Sequence, residues 1–402
     1  MPRTADTLTL TLALLTAVAA AAGCDSNTAH PVSIDAGALE DATALDAPEQ
    51  DAFTDVDAGA TDAGPTDGGA ADAGGGGLPA GWLYTAANHV YVSDGAGGGS
   101  VWMGRGVNLD DIYLCGYNYT LWDTSAETEL TAVAAGLVRD WHPTFVRVSL
   151  GMASYPTESD WTENPAQYQA PMTRVIEALG ANPGVYVLVA LRSHASMILE
   201  DTIHGDAEAT GVPSDATTTP DAVRFPTGTD ATYVALVDTF AHSPFVLFGL
   251  SNEPGGNLQS DAVIAAAMEH AVGVIRAEED RLGVPHHLIS VQGNSWTSDL
   301  AFYAASPLAE DGVVYEQHGY PPTADAYTYD NLPVLIGEYG SLPDSAAFYA
   351  DLEAKQLPNA AWDFEPFSDC APDLLVVTHS ATTLTPTAWG ATVQAYLTSH
   401  AP

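Results

Sequence analysis

Two glutamates in this chain each follow a short apolar segment, and their placement indicates acid–base chemistry. Glu253 lies in the motif S-N-E-P directly after the apolar run Phe245–Leu250, and Glu338 lies near the end of a second apolar stretch, Leu332–Gly340. Neither run alternates between apolar and polar residues, so each is typical of a parallel strand that is buried on both faces. Because α/β folds place their chemistry at the carboxyl ends of such strands, we expect both carboxylates at one rim.

Apolar segments of this kind recur from residue 80 onward and predict an α/β fold. Helical patterns lie between them; Asp261–Leu282, for example, has apolar residues at helical spacing, Ser260 as N-cap and Gly283 after its end. A doubly wound open sheet would show the same alternation of strands and helices. The count of eight strands, with glutamates at the ends of the fourth and seventh, favours a closed (β/α)8 TIM barrel. The predicted strands are Val101–Leu109, Thr144–Leu150, Val185–Leu191, Phe245–Leu250, His287–Val291, Val313–Gln317, Leu332–Gly340 and Ala360–Phe364.

Two carboxylates at one barrel mouth suit retaining glycoside hydrolysis. That reaction needs an acid for the leaving oxygen and a nucleophile for the anomeric carbon. With Glu253 and Glu338 in these positions, the chain resembles glycoside hydrolase family 5, which contains many cellulases and mannanases. Further residues at predicted strand ends carry the same resemblance, because their types and order are similar to the active-site set of that family: Arg147, His194, Asn252, His318, Tyr320 and Trp362.

The resemblance implies different roles for the two glutamates. It makes Glu253 the acid/base and Glu338 the nucleophile, with Arg147 and the Tyr320 hydroxyl stabilising the ionised Glu338. A division of labour also follows from electrostatics, since two carboxylates about 5 Å apart do not both ionise readily and one can keep a proton. Arg147 lies within a predicted buried strand, where a cation needs an acidic partner.

The same resemblance implies contacts with the sugar. Asn252 would bind the 2-hydroxyl group, an interaction that strengthens in the transition state. His194 and His318 would bind hydroxyls or orient the carboxylates, and Trp362 would form the floor of the central sugar subsite. Three more tryptophans fall in loops after predicted strands and are candidates either for sugar stacking or for packing: Trp122, Trp161 and Trp296.

The activity implied by this family is retaining, endo-acting hydrolysis of a β-1,4-linked polysaccharide. An endoglucanase for cellulose or a related β-glucan is favoured, and a β-mannanase of the same family is the alternative. We expect a monomer without cofactor or metal. The formal net charge of −42 repels phosphate backbones, so nucleic acid is a poor partner, whereas a neutral polysaccharide is indifferent to this charge.

The first part of the chain has the composition of a leader and a linker. Residues 1–23 are typical of an export signal, and the A-A-G-C segment at their end resembles a bacterial lipobox. Cys24 would then be lipidated and would anchor the exported chain to a membrane at the cell surface; the alternative is an ordinary cleaved signal peptide and a secreted protein. Residues 24–79 contain repeated D-A-G units and predict a disordered linker, which leaves 80–402 as the catalytic domain.

Two cysteines, Cys115 and Cys370, remain in the part of the chain that would be exported. They follow predicted strands 1 and 8, which are neighbours where a barrel closes. In an oxidising compartment we expect a disulfide across this seam, with two free thiols as the alternative.

Three other functional classes fit the sequence less well. The chain has no H-E-x-x-H motif and no closely paired cysteines, which disfavours a metal hydrolase. The segment G-L-S-N-E places Glu253 where a nucleophile elbow requires its final glycine, which disfavours a serine hydrolase. A non-catalytic carbohydrate-binding surface lipoprotein would be expected to lack one of the two glutamates, and both are present.

Overall fold

Eight parallel strands close into a barrel, which confirms the predicted (β/α)8 architecture. The strands follow one another around the barrel in chain order, and the last pairs with the first. The computed structural model describes residues 77–109, 124–150, 161, 165–191, 227–254, 260–320, 329–340, 345–364, 375 and 384–401. The barrel strands are β4 Arg105–Leu109, β5 Phe145–Leu150, β6 Tyr186–Leu191, β7 Val246–Gly249, β8 Ile289–Gln292, β9 Val313–Gly319, β10 Val334–Tyr339 and β11 Asn359–Ala361.

Several predicted features lie outside the described residues and stay predictions. They include the export signal and nearly all of the linker, and the following single residues: Cys24, Cys115, Trp122, His194 and Cys370.

The first predicted strand, Val101–Leu109, is wrong in its first half. Val101 ends a different strand, and the barrel strand begins only at Arg105. The intervening Trp102 packs edge-on against Phe145 and Tyr186, at the beginnings of β5 and β6. Trp102 is buried and so extends the apolar run in the sequence, although the strand that ends at Val101 and the barrel strand belong to different sheets.

A small antiparallel sheet, which the sequence analysis did not predict, precedes the barrel. It consists of β1 Leu83–Ala86, β2 His89–Ser93 and β3 Gly99–Val101, paired in that order. Its buried side chains Leu83 and Val90 join one apolar cluster with the barrel-lining Leu188 and Leu247. The sheet therefore covers the amino-terminal end of the barrel and leaves the opposite end for polar groups.

The helices pack around the barrel and bury its outer face. The predicted helix Asp261–Leu282 is confirmed with both of its ends: the Ser260 hydroxyl accepts a hydrogen bond from the Val263 N–H, and Gly283 adopts a left-handed φ of 67°. Among the described residues, no helix combines the length and the apolar character needed to cross a membrane. In chain order the helices are α1 Thr124–Trp141, α2 Ala170–Gly180 (after a π-helical turn, Pro165–Gln169), α3 Thr227–Phe240, α4 Asp261–Leu282, α5 Asn294–Thr297, α6 Ala301–Ala305, α7 Ser345–Lys355 and α8 Ala388–Ser399.

Candidate active site

Polar side chains from several strands meet at the carboxyl end of the barrel. Strand β9 shows why: its side chains alternate between the two faces of the sheet, so Glu316 and His318 both point into the barrel while Gln317 between them points outward. Every residue of this strand is buried. The polar groups therefore lie where the surrounding apolar strands exclude most of the water.

Glu338 is held at this end by two donors. Arg147 Nη1 donates to its Oε1 at 2.9 Å, and the Tyr320 hydroxyl donates to its Oε2 at 3.0 Å. The pairing of β10 with β9 is irregular at Gly337, which has no partner in the register, while Glu338 pairs with His318. This local irregularity turns the Glu338 side chain toward the interior.

Glu253 follows β7 in a strained backbone conformation. Its φ is 47°, in the left-handed region, which costs a non-glycine residue about 1–3 kcal/mol. The side-chain oxygen of Gln292 accepts the Glu253 N–H and supports this conformation. The Glu253 side chain is 19% exposed, against 5% for Glu338, so Glu253 is the more accessible of the two carboxylates.

His318 joins the two glutamates. Its Nδ1 lies 2.8 Å from Glu253 Oε1 and 3.7 Å from Glu338 Oε2. One carboxylate oxygen of each glutamate and one nitrogen of His318 all lie within 4.8 Å of one another. The two carboxylates and the imidazole therefore form one compact cluster at the carboxyl end of the barrel.

Comparison with known proteins agrees with this geometry. The family model described as Cellulase (glycosyl hydrolase family 5) matches residues 104–368. The chain belongs to glycosyl hydrolase family 5. It is therefore a glycoside hydrolase by family, and the resemblance inferred from its strand-end residues is confirmed.

Solved structures of three enzymes are similar in fold. The catalytic domain of an endoglucanase from Thermobifida fusca has a TM-score of 0.57 and 16% identity, covering 79% of this chain and 97% of that one. A β-glucanase from Saccharophagus degradans has a TM-score of 0.58 and 17% identity, covering 80% and 94%. A β-mannanase from Streptomyces thermolilacinus has a TM-score of 0.54 and 20% identity, covering 80% and 98%. A search of curated proteins finds no match.

Arg147 is the central cation of this family 5 site. Its side chain is fully buried. Besides Glu338, it donates to Asn108 Oδ1 at 2.9 Å and to Asn252 Oδ1 at 2.6 Å, and its Nε forms an ion pair with Glu316 at 2.8 Å. The predicted need of Arg147 for acidic partners is thus met by two carboxylates.

The electrostatics of His318 and Tyr320 favour hydrogen-bond donation to the glutamates. Burial acts to lower the pKa of His318, but the charge of Glu338 and the hydrogen bonds to Glu253 and Glu316 raise that pKa to about 9. Burial of the Tyr320 hydroxyl, together with the charges of Glu338 and Glu253, keeps the Tyr320 pKa well above its usual value. Both groups are therefore protonated at neutral pH.

The aromatic candidates fall into two classes. Trp296 follows β8 and is 48% exposed, Tyr320 is 49% exposed, and Trp362, after β11, is half-buried. Trp161 is only 1% exposed and its ring contacts Tyr168 and Phe240. Trp161 as a sugar platform is therefore wrong, and its packing alternative is correct.

The exposed Trp296 is carried by an unusual turn. Ser295, Trp296 and Thr297 all have φ values between 53° and 55°. The Thr297 hydroxyl accepts the Gly293 N–H at 2.8 Å and donates to the backbone oxygen of Glu316 at 3.1 Å. These bonds tie the turn to β9 and fix the position of the tryptophan.

Four polar residues of the site were missed by the sequence analysis: Asn108, Ser290, Gln292 and Glu316. Glu316 was the most accessible to prediction, because it lies two residues before His318 and must share its face. Asn108, Ser290 and Gln292 have no such local signal, since their partners come from other strands.

Glu253, His318 and Glu338 each offer one atom that could ligate a cation, but a His318 ring protonated on both nitrogens has no lone pair with which to do so. Arg147 and the protonated His318 ring already place two positive charges beside these carboxylates. Together with Glu316, three carboxylates thus surround two cationic groups of the chain itself.

Proposed function

We propose that the protein is a retaining endo-hydrolase of β-1,4-linked polysaccharide that works by double displacement. The observation that carries this proposal is the placement of Glu253 and Glu338 around His318, with their nearest ligand atoms within 4.8 Å. At this spacing one carboxylate can reach the anomeric carbon while the other reaches the glycosidic oxygen.

In the first step, Glu338 is the nucleophile. Arg147 Nη1 and the Tyr320 hydroxyl each donate to one of its two oxygens and hold the carboxylate in place. An oxygen of Glu338 bonds to the anomeric carbon as the bond to the leaving oxygen breaks, and Glu253 gives its proton to that oxygen. The product of this step is a glycosyl ester of Glu338.

In the second step, Glu253 acts as the base. It takes a proton from water, the water oxygen bonds to the anomeric carbon, and the ester bond to Glu338 breaks. Both glutamates return to their starting states and the sugar keeps its anomeric configuration. The greater exposure of Glu253 supports this assignment, because water and leaving group must both reach it.

Asn252 is oriented for the sugar 2-hydroxyl. Arginine has only donors, so the oxygen of the Asn252 amide must face Arg147 Nη2, at 2.6 Å. Its NH₂ group then remains as a donor, and we assign it to the 2-hydroxyl of the sugar. The rings of Tyr320, Trp296 and Trp362 supply apolar surface for sugar faces, and we extend this role to Trp122 and a hydroxyl-binding role to His194.

Cellulose or a related β-glucan is the favoured substrate, and mannan is the alternative. The cellulase description of the family model and the similarity to an endoglucanase and a β-glucanase support the first. The similarity to a β-mannanase supports the second. The test is product analysis on soluble cellulose, mixed-linkage β-glucan, glucomannan and galactomannan, with NMR of the first product formed.

We expect a mixture of oligosaccharides from a β-glucan and the β-anomer in the first NMR spectra. Release of only one small product would contradict endo attack, and an initial α-anomer would contradict retention. Activity on mannan alone would select the alternative substrate.

We further propose that the chain is exported and anchored through a lipid on Cys24. The A-A-G-C segment supports this site. The measurement is incorporation of labelled palmitate in cells that express the chain or its Cys24→Ala variant. Equal labelling of both would overturn the proposal, and release of unlabelled protein into the medium would favour a secreted enzyme.

A further inference from the structure

Glu316 on β9 is a buried carboxylate to which the proposed reaction assigns no step. Its side chain is fully buried beside Arg147 Nε at 2.8 Å, His318 Nε2 lies 2.9 Å from the same oxygen, and the Ser290 hydroxyl donates to the other oxygen at 2.6 Å. Taking an ion out of water costs several kcal/mol unless its partners are well placed. Glu316 has three such partners. Two of them also contact the glutamates of the proposed reaction: Arg147 contacts Glu338, and His318 contacts Glu253.

The neighbouring strand is adapted to this carboxylate. A Cβ atom on Gly337 of β10 would lie only 1.9 Å from Glu316 Oε1. Any side chain at Gly337 would therefore displace either the backbone of β10 or the Glu316 carboxylate. Gly337 is also the unpaired residue just before Glu338. Gly337 therefore leaves the space that the Glu316 carboxylate occupies, and it is also the site of the irregular pairing that orients Glu338.

The position of Glu316 determines how His318 can donate. A carboxylate only accepts, so His318 Nε2 must carry a hydrogen to bond Glu316. The other ring nitrogen, Nδ1, lies 2.8 Å from Glu253. A neutral imidazole has a single N–H, so both bonds are donated together only by the charged ring. The charged and titratable groups around this ring are Glu253 after β7, Glu316 on the same strand, Glu338 on β10 and, through the two carboxylates, Arg147 on β5.

We propose that Glu316 is a positioning residue: it keeps His318 a double N–H donor directed at Glu253 and holds Arg147 against Glu338. The proposal rests on the function proposed above. With one oxygen of Glu253 bound to His318 Nδ1–H, the proton that Glu253 gives to the leaving group resides on its other oxygen. Glu316 thereby determines which oxygen of Glu253 acts as the acid, although it contacts no substrate itself.

The test compares Glu316→Gln with a matched control, Glu279→Gln. Glu279 is equally buried and also contacts an arginine and a histidine, Arg276 at 2.6 Å and His287 at 2.8 Å. It lies on α4, and His287 precedes β8, so this cluster is at the amino-terminal end of the barrel. Both variants remove one buried charge, but only Glu316→Gln changes the surroundings of His318.

The measurements are kcat, KM, the pH profile of kcat/KM on a β-glucan, the melting temperature, and NMR of the histidine ring nitrogens. For Glu316→Gln we expect kcat to fall by about 10- to 100-fold, by analogy with the outer-shell partners that orient metal ligands, with a smaller change in KM. The alkaline limb of the kcat/KM profile should move to lower pH by about one unit. The reason is that the charged His318 ring is less stable once the negative charge of Glu316 has been removed. Glu279→Gln should lower the melting temperature and leave the pH profile in place.

The NMR result decides the proposal without relying on activity. In the wild-type protein at pH 8 we expect hydrogens on both nitrogens of His318, assigned by the loss of these signals in His318→Gln. In Glu316→Gln we expect the second hydrogen to be lost at a pH about one unit lower than in the wild type. A single hydrogen on His318 in the wild type would overturn the proposal even if Glu316→Gln failed to fold. The proposal would also be overturned if Glu316→Gln folded, kept hydrogens on both nitrogens of His318 and showed its alkaline limb at the wild-type pH. If the wild type cleaved no polysaccharide, the proposed function would fall, and the NMR spectra would still decide whether Glu316 controls His318.

Discussion

The roles proposed for Glu253 and Glu338 can be separated by chemical rescue. Glu253→Ala and Glu338→Ala are each tested on an aryl β-glycoside with a good leaving group, with and without azide. Without Glu253 the first step survives, because such a leaving group needs little protonation, and the ester on Glu338 then waits for a base that is missing. Azide needs no base, so it should restore turnover and give a glycosyl azide of retained configuration.

The expected magnitudes follow from the contacts of each side chain. A general acid contributes about 10²- to 10⁴-fold, or about 3–5 kcal/mol, so Glu253→Ala should lose this much on polysaccharide and far less on the activated glycoside. Glu338→Ala removes the proposed nucleophile and also one of the two buried anions that face Arg147. It should therefore be nearly inactive on both substrates and melt at a lower temperature than Glu253→Ala.

For Glu338→Ala, azide can attack only from the face that the side chain vacated. The expected product is a glycosyl azide of inverted configuration, identified by NMR of the anomeric proton. Azide added to the wild-type enzyme is the control and should change its rate little. Exchanged stereochemical outcomes for the two variants would reverse the assignment of acid/base and nucleophile, and full activity of both would refute the glycosidase mechanism.

Further predictions concern stability, substrate contacts and the cysteines. The His318 pKa is raised to about 9, so the charged ring stabilises the folded state fully below the ordinary histidine pKa of about 6.5. This stabilisation should disappear as the pH rises through 9. The prediction is contradicted if, from pH 6 to 10, the melting temperature of the wild type falls no more than that of His318→Gln. Trp161→Ala should cost about 3–5 kcal/mol in the free energy of unfolding without changing KM, whereas Trp296→Ala should raise KM with little loss of stability; the reverse pattern would refute their assignment to core and mouth. Mass spectrometry of protein from the exported fraction should find Cys115 bonded to Cys370, and two free thiols would end that idea.

Much of the fold was predictable from local patterns. Strands buried on both faces appear as continuous apolar runs, and helix α4 has its cap, its spacing and its terminal glycine within one stretch of chain. The two glutamates were predictable for the same reason, since each lies at or just after the end of such a run. The resemblance to family 5 then rested on the order of residue types along the chain, which is a property of sequence alone.

Tertiary structure decided everything that depends on contacts between distant strands. Trp161 and Trp296 both follow strands in sequence, yet only packing against Tyr168 and Phe240 shows that the first is part of the core. The irregular pairing at Gly337 depends on β9, and two partners of Glu316, Arg147 and Ser290, come from other strands. A sequence pattern shows which face a side chain takes, but the distance between two charges is set by the closure of the barrel, and that distance determines which of them share a proton.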